Sequence, residues 1–106
     1  MEKIEKSCGN VYRDLGYPDA AQMRIKAQLA ARIGEIIKSQ GLTQAQAAVI
    51  LGIPQPKLSG MLRGMFRGIS ETKMLHCLNR FGQDVEIVVH KNSRSKNSGS
   101  IRVVFA

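Results

Sequence analysis

The sequence predicts a mainly α fold, four helices in a row followed by a C-terminal β-hairpin. Three observations carry that expectation. Apolar residues recur at helical spacing from residue 19 to residue 82. Glycines Gly41, Gly52 and Gly82 each close such a stretch, and the side chains able to cap the next one follow or precede them. After Gly82 the period falls from 3.6 to 2, in "DVEIVVHK" and again in "SIRVVFA".

Taken in order, residues 1–18 show little periodicity and read as an N-terminal arm, with Val11, Tyr12, Leu15 and Tyr17 available to dock on the body. The first helix is expected over Asp19 to Gln40. Asp19 stands as its cap, with Gln22 in capping-box register and Ile25, Leu29, Ile33, Ile36 and Ile37 as its buried stripe. Thr43 and Gln46 form the same box before "QAQAAVIL", which stops at Gly52. A third helix follows the prolines with Leu58, Met61, Leu62 and Met65 on one face. Ser70 caps a fourth, whose inner side should hold Met74, Leu75, Leu78 and Phe81. Residues 19–82 thus form the helical domain. Residues 83–106 form the hairpin, with the small, polar, basic "NSRSKNSGS" as its turn.

The chain has 106 residues, enough for one domain with a modest core, and a formal net charge of +8. No acidic residue lies between Glu35 and Glu71, where Lys38, Lys57, Arg63 and Arg67 fall. Such a distribution favours a polyanionic partner. The N-terminal "MEKIEKSCGN" has no apolar signal stretch, and no run approaches the ~20 apolar residues a membrane span needs. A reducing cytoplasm is therefore expected, with Cys8 and Cys77 as free thiols and no membrane association.

Residues 43–64, "TQAQAAVILGIPQPKLSGMLRG", have the pattern of a helix-turn-helix. Ala48 is small where the second helix must cross, Gly52 suits a left-handed turn, and Ile53 and Leu58 can point inward. Pro56 disfavours helical backbone at the residue before it, so Gln55 is expected at the N-cap and Pro56 at the first helical position. The two prolines then aim the Gln55 amide forward, and an amide both donates and accepts, as the major-groove edge of adenine requires. Ser59 and Gly60, both small, would let the backbone come close to the bases. Pro56 offers apolar contact, and Lys57, Arg63 and Arg67 suit phosphates. The expected site is therefore Gln44, Gln55, Pro56, Lys57, Ser59, Gly60, Arg63 and Arg67.

At residues 20–82 the chain resembles the phage-repressor-like (XRE) helix-turn-helix family. The resemblance implies a lambda-repressor-like DNA-binding fold. It also implies that Gln44, opening the first motif helix, clamps a phosphate, that Gln55 reads a base, and that Arg63, just before Gly64, touches the DNA backbone. The wording "LTQAQAAVILGIPQPKLSGMLRG", with "DLGYPDA" ahead and "DVEIVV" behind, is similar to the HigA-type antitoxin subgroup. That likeness implies a bacterial protein that represses its own operon and pairs with a small ribonuclease toxin.

The function expected is thus a sequence-specific transcriptional repressor, autoregulatory and dimeric, on the double-stranded DNA of a palindromic operator. The alternative is an antitoxin whose main task is neutralising a toxin, with the arm and first helix as the surface to test. No carboxylate pairing suggests an enzyme. His76 and Cys77, adjacent on a helix, point about 100° apart and lack a third ligand, so neither a metal nor another cofactor is expected. A lone two-stranded ribbon is marginal in water, so the hairpin is expected to pair with that of a second subunit.

Overall fold

A computed structural model describes residues 20–92 and 99–106. Its helices are α1 (Ala20–Ser39), α2 (Gln44–Leu51), α3 (Gln55–Leu62) and α4 (Glu71–Arg80). The long α1 packs against α4 and α3, while α2 packs against α3 and α4. One core lies between them. Leu29, Ile33, Leu58, Met61 and Met74 are its largest fully buried members.

The stripe predicted for α1 is the one buried: Ile25, Leu29, Ile33, Ile36 and Ile37. Asp19 and the arm over residues 1–18 lie outside the described residues. The box on α2 forms in both directions. Gln46 N donates to Thr43 Oγ1 at 3.1 Å, and Thr43 N donates to Gln46 Oε1 at 2.9 Å. Ser70 accepts from Lys73 N at 3.0 Å and so caps α4.

The helix-turn-helix closes as its spacing demands. Ala48, Ile53 and Leu58 are all buried. Gly52 takes φ +70°, a left-handed conformation that a side chain would strain. Its N–H and that of Ile53 both reach the Ala48 carbonyl, at 2.8 and 3.2 Å, which ends α2 and turns the chain toward α3.

Three expectations need correction. The C-terminal β-hairpin does not form: among the described residues there is no strand. "VEIVV" and "IRVVF" are apolar on both faces, and the helices offer no second layer to cover two faces. Only Val103 packs against the core, and the Arg32 guanidinium sits 5.2 Å from the centre of the Phe105 ring. Much of the expected basic turn, residues 93–98, lies outside the described residues.

Met65 is also not core: it is 66 % exposed, because α3 ends at Leu62 and Gly64 takes φ +95°. Phe66 and Ile69 of the following loop are buried instead. Finally, the N-cap of α3 is Pro54, not Gln55. The Pro54 carbonyl accepts from Lys57 N and Leu58 N, both at 3.1 Å, which makes Gln55 the first helical residue and Pro56 the second. The second helical N–H has no intrahelical acceptor either, so proline is tolerated there for the same reason as one position earlier.

Candidate nucleic-acid interface

Each half of the motif contributes a polar tip. On α2, the N–H groups of Gln46 and Ala47 are taken by the side chain and carbonyl of Thr43. Those of Gln44 and Ala45 precede the first intrahelical bond, and the exposed Gln44 side chain stands beside them. That end therefore offers donors and the positive pole of the helix.

On α3, Leu58 and Met61 face inward, which turns Gln55, Pro56 and Lys57 to solvent. Pro54 at φ −63° and ψ 142° fixes the direction in which the helix leaves the turn. One turn on, Arg63 Nη1 donates to Ser59 Oγ at 3.1 Å. Ser59, half-buried, thus holds the guanidinium along the flank of α3. Arg67 lies exposed on the loop beyond.

The eight expected residues do not all share one surface. Gln44, Gln55, Pro56, Lys57, Arg63 and Arg67 are exposed, and Ser59 lies at the edge. Gly60 is buried. A Cβ built on it would stand 3.7 Å from the Met65 Cβ, so it faces the loop after α3 and not the outer side. Two features escaped the sequence. Lys26 of α1 is buried, with Nζ donating to the Arg67 carbonyl at 3.1 Å, which ties the loop behind α3 to the longest helix. Arg80 of α4 donates to the Ile50 carbonyl at 3.3 Å and lies against Gly52, bracing the turn. Both contacts span long sequence separations, so local pattern carries no sign of them.

Electrostatically the surface is one-signed. Glu35 is engaged with Arg32 at 3.3 Å on α1, and the next acid is Glu71 at the start of α4. The buried Cys77 thiol is pushed above its ordinary value by burial, against the opposing pull of Lys73 and Arg80. It lies on the inner side of α4, while its neighbour His76 is exposed. No described helix is long and apolar enough to cross a membrane. Two exposed amides and the exposed cations Lys57, Arg63 and Arg67, with no carboxylate on α2 or α3, suit a groove lined by phosphates.

Comparison with known proteins fits this geometry. A family model for a helix-turn-helix domain matches residues 11–90. A solved structure described as an XRE family transcriptional regulator is similar at 40 % identity and a TM-score of 0.78, over 84 % of this chain and 100 % of the other. No curated protein matches.

Proposed function

The chain belongs to the XRE family of helix-turn-helix proteins, and on that premise we propose that it is a DNA-binding transcriptional repressor that acts as a dimer on a palindromic operator. The observation that carries this is the outer side of α3, which projects Gln55 from a proline-fixed tip and has Lys57 and Arg63 beside it, with no acid. Gln55 reads a base edge. Gln44 and the arginines hold phosphates and set the register. A two-fold partner would place two such helices about 34 Å apart, one turn of the duplex.

The test is a titration on the DNA upstream of the chain's own gene and on random duplex, at several salt concentrations. Binding should weaken steeply with salt. Gln55→Ala should cost about 1–3 kcal/mol on the operator and little on random DNA. Equal losses on both would remove Gln55 as a reader. Absence of binding at low ionic strength would remove the DNA reading itself. The antitoxin reading rests on resemblance alone, and Tyr12, Leu15 and Tyr17, its test surface, lie outside the described residues. Co-purification with a small ribonuclease would support it.

A further inference from the structure

Past α4 the chain keeps a segment whose own fold leaves it without a partner. Ile87, Val88 and Val89 are 78, 70 and 91 % exposed. Among the described residues no backbone–backbone hydrogen bond reaches residues 84–91. Four β-branched residues, Val85, Ile87, Val88 and Val89, are thus left in water with unpaired backbone beside them. Such a segment is a template for pairing with another strand.

We infer that residues 83–91 form an antiparallel pair with the same segment of a second copy, centred on Ile87. The inference rests on the dimer proposed above and specifies its interface. Symmetry restricts the register. A two-fold axis through an antiparallel pair stands perpendicular to the ribbon and keeps each face on its own side. Directly opposed residues must therefore both be odd-numbered or both even-numbered.

Two central registers satisfy this. Centred on Val88, Val85 falls opposite Lys91, so an apolar residue at each end faces an ammonium. Centred on Ile87, Val85 falls opposite Val89 and Ile87 opposite its own copy. One face is then β-branched throughout, with Gln83 and Lys91 at its ends. On the other face Asp84 comes opposite His90, and Glu86 opposite Val88, with His90 on its diagonal. Acid thus meets imidazole at both ends of the ribbon, and no like charges are directly opposed, the two Glu86 carboxylates standing diagonally across the axis. The partner is a second copy because the segment is complementary to its own reverse: acids at its start, valine and isoleucine in the middle, His90 and Lys91 at its end.

The register gives a sharp test on the full chain. In a Cys8→Ser background, Ile87→Cys places two thiols directly opposite each other across the axis, within the span a disulfide needs. Val88→Cys places them diagonally. Cys77 is buried and takes no part. Light scattering should give a dimer mass for the parent. Mild oxidation should convert most of the Ile87→Cys chain, and little of the Val88→Cys chain, to a covalent dimer. Both side chains are mostly exposed, so helical circular dichroism should not change. A dimeric parent in which Val88→Cys cross-links better, or in which neither does, overturns the pairing and leaves the dimer standing. A monomeric parent overturns both, while the DNA titration still reports separately on α3.

Discussion

Replacing Lys26 by Met asks whether one buried ammonium holds the loop behind α3 in place. Lys26 is 7 % exposed on the inner face of α1, and its Nζ lies 3.1 Å from the Arg67 carbonyl, 41 residues away in sequence. Met keeps most of the stem, so the packing loss is small. What goes is a charge-assisted hydrogen bond, about 1.5–3 kcal/mol, and the Arg67 carbonyl loses this donor. Relief from keeping a charge out of water offsets part of that, leaving about 1–2 kcal/mol. For a domain of this size that is a fall in Tm of at least roughly 4 °C. Urea unfolding and a thermal melt measure it, and Lys26→Arg, which keeps a cationic donor, should recover part of the loss. The same variant bears on DNA binding, because the tethered loop carries Arg67. If Arg67 holds a phosphate, loosening the loop should lower the salt slope by about 1 while base preference is retained. Stability within about 0.5 kcal/mol of the parent, with an unchanged slope, would refute the reasoning.

Other outcomes follow from single positions. Gly60→Ala should keep operator affinity and gain up to about 1 kcal/mol of stability, since the site faces inward and the new methyl meets only an ordinary contact with Met65; a large loss of DNA binding would mean that Gly60 faces the bases after all. Gly52→Ala should cost about 1–2 kcal/mol in urea unfolding because φ there is +70°, although Arg80 at 3.8 Å leaves room for the methyl. The raised Cys77 value gives a pH effect with a definite sign. The folded thiol holds its proton after the unfolded one has lost it, so this contribution is intact below the unfolded value, here near 9.0, and is lost as pH climbs from there through the folded value. Melts of the parent and of Cys77→Ala between neutral and alkaline pH should diverge in that window, the parent losing more; parallel curves would count against the assignment.

Much of the helical domain was written in the sequence because its determinants are local. The stripe on α1, the Thr43–Gln46 box, the Ser70 cap and the Gly52 turn each depend on residues within one or two turns. Backbone geometry leaves few options for such patterns. The exposed tip at Gln55 followed from the same logic, shifted by one residue, since proline is tolerated at either of the first two helical positions. Tertiary structure decided what the pattern left open. It buried Gly60 and exposed Met65, since both depend on where the chain turns after Leu62. It joined Lys26 to Arg67 and Arg80 to Ile50 across 41 and 30 residues, distances over which sequence spacing says nothing. It also left "DVEIVVHK" without a partner, although alternation alone promised a strand. Alternation states only that a segment suits a pleated ribbon; whether a ribbon forms depends on another strand lying alongside it, and that is a property of the whole assembly.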